Sequence, residues 1–261
     1  MKKKITSILA SILVIATVIP SMALAASNAA ILDKLKLSDV KKYDVAFPTK
    51  GTKKTERQII DLLNKIPYKP SGKGNTEYLY YLSFRRPNSK KPGNYESVSV
   101  NKQWVKDTDK IFFVYVEHKD LMNLKAGIHC EIQKIDAKNT NIYYWVKGKK
   151  TGNHDIYKNK INNNENNNTN VKTADISNYK LYPDATVLGE KCMVYSYDEK
   201  VLDETVTFYH YISRTTRQNI KYTYAIFDGI NTTINFELKL FDKSDSFFNP
   251  PKDIKFTTTM Y

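Results

Sequence analysis

From residue 187 to residue 241, apolar and polar side chains alternate along four successive stretches. That period of two constrains the fold more than any other feature of the chain, because successive side chains of a strand point to opposite faces. In 205–213, Val206, Phe208, His210 and Ile212 share one face opposite Thr207, Tyr209 and Tyr211. In 219–227, Ile220, Tyr222, Tyr224 and Ile226 oppose Lys221, Thr223 and Ala225. In 233–241, Ile234, Phe236, Leu238 and Leu240 oppose Asn235, Glu237 and Lys239. Stretch 187–197 precedes these, with Gly189 as a bend. Asp228-Gly229 is a turn signal. The short connections predict an up-and-down antiparallel meander with one apolar face.

The same signal recurs earlier, at 77–85, 95–105, 110–117, 128–133 and 141–147. In 110–117 both faces are apolar, which predicts a strand covered on both sides. One helix stands out at 55–66, where Ile59, Leu62, Leu63 and Ile66 repeat on one face. Thr55 is its expected N-cap, Glu56 lies in its first turn, and Pro67 stops it. Stretch 153–184 has weak periodicity, and 162–170 is nearly all Asn. Such a segment buries no apolar surface, so a mobile loop at about 159–170 is expected inside one domain. Residues 177–183 read as a tether back to the sheet, and Phe247-Phe248-Asn249-Pro250-Pro251 as a strap across a sheet end.

The first 25 residues have a separate role. Lys2, Lys3 and Lys4 precede an apolar run from Ile5 to Ile19, Pro20 ends it, and Ala23-Leu24-Ala25 supplies small residues. This order is that of a secretory signal cleaved near Ala25. The mature chain, about 26–261, is expected outside the cytoplasm. It contains no second long apolar run. The formal charge is +14, and +11 without the three leader lysines. That excess favours an anionic membrane or cell-wall polymer. The basic residues come as pairs, such as Arg85-Arg86 and Lys149-Lys150, rather than as a long arm, and no nucleic-acid partner is expected. Cys130 and Cys192 fall in expected strands; a bridge and two buried thiols are both open, since bridging needs close strands.

No catalytic constellation emerges. His118, His129, His154 and His210 do not form the paired-histidine zinc motif. There is no Gly-x-Ser-x-Gly elbow and no phosphate-cradling Gly loop. Asp198, Glu199, Asp203 and Glu204 read as a solvated hairpin tip. The chain therefore reads as a binding protein without cofactor or metal. His210 is the odd placement, a titratable ring on an otherwise apolar face.

Gly189-Glu190-Lys191-Cys192-Met193-Val194 resembles the Gly-x-Lys-Cys-apolar strand start of exported Gram-positive members of the LolA/LolB-like superfamily. The aromatic strand Phe208-Tyr209-His210-Tyr211-Ile212-Ser213, then Ile220-Lys221-Tyr222, and the closing Phe247-Phe248-Asn249-Pro250-Pro251 are similar to later parts of that pattern. The chain departs from it at 214–219, where Arg214-Thr215-Thr216-Arg217-Gln218-Asn219 replaces Gly-Leu-Pro, and in the Asn-rich middle. The likeness covers the last third well and the rest by order alone. It implies a mostly β (α+β) fold: a curved antiparallel sheet forming an unclosed half-barrel around a small helical plug. It also implies an apolar concave face that carries a lipid, a lipid-modified chain or another apolar ligand. On the meander, the expected wall residues are Phe208, His210, Tyr222, Tyr224, Phe236 and Leu238, in a monomeric lipoprotein-carrier-like protein of the cell envelope. The alternative is a basic surface protein binding anionic wall polymers or membranes.

Overall fold

In a computed structural model of the chain, residues 32–70, 72–88, 91, 93–159, 176–201 and 203–261 are described. The expected leader and nearly all of the loop expected at about 159–170 lie outside them. The helix forms as α1 (Glu56–Asn64). Thr55 caps it: its hydroxyl accepts from the Gln58 N–H at 3.2 Å, and the Gln58 side chain accepts from the Thr55 N–H at 3.1 Å. Two otherwise orphaned donors are thereby satisfied. Thr55→Ala is expected to lower stability by about 1 kcal/mol, read as a shifted denaturant midpoint.

Thirteen strands form among the described residues, most of them on the alternating stretches. They are β1 (Thr52–Lys53), β2 (Thr76–Pro87), β3 (Ser97–Asp107), β4 (Phe112–Asp120), β5 (Ile128–Ile135), β6 (Asn139–Val146) and β7 (Thr151–Lys158). The second half supplies β8 (Ile176–Val187), β9 (Glu190–Val201), β10 (Glu204–Ser213), β11 (Asn219–Ile226), β12 (Gly229–Phe241) and β13 (Lys255–Met260). They form one sheet in the order β1-β8-β9-β10-β11-β12-β2-β3-β4-β5-β6-β7-β13. Every pairing is antiparallel except β7 with β13. The curved sheet does not close, because β1 and β13 stand at opposite edges. The long β2–β12 ladder, from Gly229↔Pro87 to Phe241↔Thr76, joins the two halves.

The two faces are covered by different segments. On the strapped face, Leu32, Leu35 and Val40 pack on Tyr80, Leu82 and Phe84 of β2, Val98 and Val100 of β3, and Ile234 and Phe236 of β12. The chain then crosses this face, where the Phe47 ring stacks on Tyr209 at 4.7 Å. After β1 it passes to the other face, which we call the helix face. There Leu62, Leu63 and Ile66 pack on Leu181, Met193, Tyr195 and Ile212. The C-terminal strap returns over the strapped face, with Phe248 stacked on Phe113 at 5.1 Å and Phe247 edge-on to Trp104 at 5.5 Å.

Several expectations change. Residues 177–183 lie within β8 rather than forming a tether, and most of β7 falls in the stretch of weak periodicity that begins at 153. Register shifts at Ser177/Lys180 and Tyr182/Ala185 break the alternation of β8 and hide it. Leu188 and Gly189, both at positive φ, turn the chain between β8 and β9, so Gly189 is not a bend within one strand. β4 is covered on one side only: Phe113 is buried under the strap, whereas Phe112 is exposed on the opposite face. Cys130 and Cys192 are both free and buried. They stand on β5 and β9, far apart in the strand order. Burial pushes their thiols up, to about 11 and about 12.

Candidate functional site: an uncharged ring ladder

Register decides which expected wall residues meet. Phe208 pairs with Tyr224 and with Tyr197, and His210 with Tyr222 and with Tyr195. Directly paired residues share a face, so all of these side chains stand on the helix face of β9, β10 and β11. Tyr195 stacks on His210 at 5.0 Å, and the His210 ring lies 4.9 Å from Tyr222. Tyr197 lies 5.5 Å from Phe208 and 5.3 Å from His210. Phe208, Tyr222 and Tyr224 close the group at 5.1–5.8 Å. Tyr179 extends it from β8, 5.8 Å from Tyr197. Seven rings therefore form one ladder across four strands.

The ladder carries little charge. Burial lowers His210 to about 4, so its imidazole is neutral at pH 7. Burial raises Tyr195 to about 12 and also raises Tyr179, Tyr197 and Tyr222. These phenols keep their protons at pH 7.

Beside the rings lies a polar knot. The Asn235 Nδ2 donates to the backbone carbonyl of Asn219 at 2.6 Å, and the Asn219 Nδ2 lies 3.0 Å from His210 Nδ1. With that amide donating, Nδ1 accepts and Nε2 carries the proton. His210 Nε2, Asn219 Oδ1 and Asn235 Oδ1 are buried and make no hydrogen bond among the described residues. Gln218 Nε2 donates to the Leu238 carbonyl at 3.2 Å, placing Leu238 beside this knot.

Phe236 does not join the group. A bulge between Asn235 and Glu237 resets the register of β12, so Leu238 pairs with Leu79 and Glu237 with Tyr80. Phe236 is instead buried on the strapped face, edge-on to Tyr43 at 5.8 Å. Ile234 and Phe236 thus lie opposite Leu238, contrary to their expected common face. Tyr195 and Tyr197 were legible in the alternation of 187–197 but were not among the expected wall residues.

The helix face continues past β12 and β2 to an open cavity of about 1080 Å³ along β4 to β7 and β13. His118, His129, Glu131, Tyr144 and Asn153 line it. His118 Nδ1 lies 2.7 Å from Asn101 Oδ1, and burial lowers its pKa. Among the described residues no three His, Cys, Asp or Glu side chains are placed to hold a metal ion.

No family model and no curated protein matches the chain. Solved structures similar to it include a DUF1329 family protein from Desulfovibrio piger, at 8% identity and TM-score 0.31, covering 74% of this chain and 95% of that one. A protein with a YmcC-like fold from Bacteroides fragilis matches at 7% identity and TM-score 0.27, over 66% of this chain and 99% of the other. A LolA superfamily protein from Nitrosomonas europaea matches at 8% identity and TM-score 0.29, over 76% of this chain and 98% of its own. A LolA superfamily protein is among the solved structures to which the chain is distantly similar.

Proposed function

We propose that the mature chain, exported and freed of its leader near Ala25, is a single-domain binding protein that holds a lipid or other apolar ligand on the ring ladder. The observation that carries this reading is the ladder itself. It sets half-buried, neutral rings side by side in a chain whose formal charge is +14, or +11 without the three leader lysines. A ligand covering about 200 Å² of that surface gains roughly 5 kcal/mol from removal of apolar area from water. Aromatic partners add about 0.5–1.5 kcal/mol for each well-placed ring pair. Phe208, His210, Tyr222 and Tyr224 form the wall with Tyr195 and Tyr197, and Leu238 borders it.

Titration with the neutral fluorophore N-phenyl-1-naphthylamine tests the assignment. The double substitution Tyr222→Ser, Tyr224→Ser removes two rings without altering charge. It is expected to weaken binding roughly a hundredfold, the loss of about 3 kcal/mol of ring contact. Unchanged affinity in a folded double variant would place the ligand elsewhere.

A further inference from the structure

One corner of the sheet combines exposed apolar side chains with a cluster of exposed lysines. The β4–β5 connection exposes Met122 (45%) and Leu124 (60%). They are held outward by a tight loop. The Asp120 carboxylate accepts from the Met122 and Asn123 N–H groups at 2.7 and 3.2 Å, and the neighbouring Leu121 is buried, its N–H donating to the Val98 carbonyl at 2.9 Å. Gly127, at φ 77, closes the loop.

The β6–β7 turn lies alongside, its Lys147 N–H donating to the Ile128 carbonyl at 2.8 Å. Lys125, Lys147, Lys149, Lys150, Lys252 and Lys255 are all exposed at this corner. Glu117 pairs with Lys147 and Asp253 with Lys150. The other four have no ion-paired carboxylate among the described residues. Asn123, Ala126, Val146 and Thr151, from these same two turns, line the rim of the 1080 Å³ cavity.

We propose that this corner docks on a bilayer surface rich in anionic headgroups, with Met122 and Leu124 entering the interface and the lysines lying at headgroup level. Amphipathic surfaces with this arrangement bind through buried apolar area and attraction to anionic lipid together. The apolar pair selects a lipid surface over a phosphate polymer, because a polymer of charged groups offers Met122 and Leu124 nothing to enter. Docking brings the cavity rim against the lipid. This proposal does not depend on the ring ladder.

Co-sedimentation of the mature protein with vesicles tests it. Binding is expected to phosphatidylglycerol–phosphatidylcholine vesicles and not to phosphatidylcholine alone. It should weaken steeply between 0.1 M and 1 M salt, as the screening length falls from about 10 Å to about 3 Å. Met122→Ser with Leu124→Ser should weaken it at least tenfold, and so should Lys149→Ser with Lys125→Ser. The Tyr222→Ser, Tyr224→Ser variant should sediment like the parent, which separates failure of this proposal from failure of the ladder assignment. No sedimentation with anionic vesicles at low salt would overturn docking, as would equal binding to the neutral vesicles. Binding that survives loss of Met122 and Leu124 but is abolished by soluble poly(glycerol phosphate) would identify a polymer site and overturn it too.

Discussion

Asp44→Ala is expected to lower stability by about 3–5 kcal/mol, the usual cost of breaking a buried ion pair from one side. Arg86 Nε donates to Asp44 Oδ1 at 2.7 Å, and both side chains are buried between the N-terminal segment and β2. Lys221 is buried on the same face at 3% exposure, its ammonium 4.9 Å from the centre of the Tyr211 ring. Burial lowers Lys221 to about 8, and the nearby Asp44 opposes that shift. Burial, reinforced by the Asp44 charge, raises Tyr95 to about 12. Removing Asp44 leaves two buried cationic side chains without this carboxylate. Lys221 can shed its proton, whereas a guanidinium cannot. Most of the cost therefore falls on Arg86. The double variant Asp44→Leu, Arg86→Met should recover most of the loss, because apolar replacement of a whole buried pair is often neutral or stabilising. Urea denaturation of the three proteins measures this. A single variant as stable as the parent would show that the N-terminal segment is not held by this pair.

The second large effect is on acid stability. His210 has a folded-state pKa near 4, below the ordinary value of 6.5, because burial disfavours the imidazolium. Between these values the unfolded chain binds more protons than the folded one, so stability falls as pH drops. The contribution is fully present above about 6.5 and lost as pH falls through about 4. With a shift of this size the loss reaches up to about 3 kcal/mol. His210 is partly accessible, so solvent screening reduces that figure. His210→Gln keeps a neutral polar side chain and should flatten the stability profile between pH 6.5 and 4. An unchanged slope would mean that His210 is hydrated and not held neutral by the ladder.

Much of the candidate site was legible in the period-two pattern, because Phe208, His210, Tyr222 and Tyr224 lie on regular stretches of β10 and β11. The pattern failed where one residue too many enters a strand. The bulge at Asn235/Glu237 sends Phe236 and Leu238 to opposite faces without changing composition or local propensity. β8 was hidden for the same reason, by two register shifts. β13 escaped notice because Thr257, Thr258 and Thr259 offer no apolar alternation, and its place beside β7 is set by the strap before it. The helix and its N-cap are legible from local chemistry alone, since Thr55 and the Ile59, Leu62, Leu63 stripe act within two turns, whereas the reciprocal Gln58 contact is seen only in the structure. The pairing of β2 with β12 brings together residues more than 140 apart, for which no local signal exists.

Native mass spectrometry of the mature protein purified from its own host, followed by organic extraction, tests ligand binding on the ladder most directly. A near-stoichiometric added mass is predicted. It should be removed by extraction, identified as an apolar molecule, and missing from the Tyr222→Ser, Tyr224→Ser variant. An apo mass for the parent, or the same added mass in the double variant, would contradict binding at these rings.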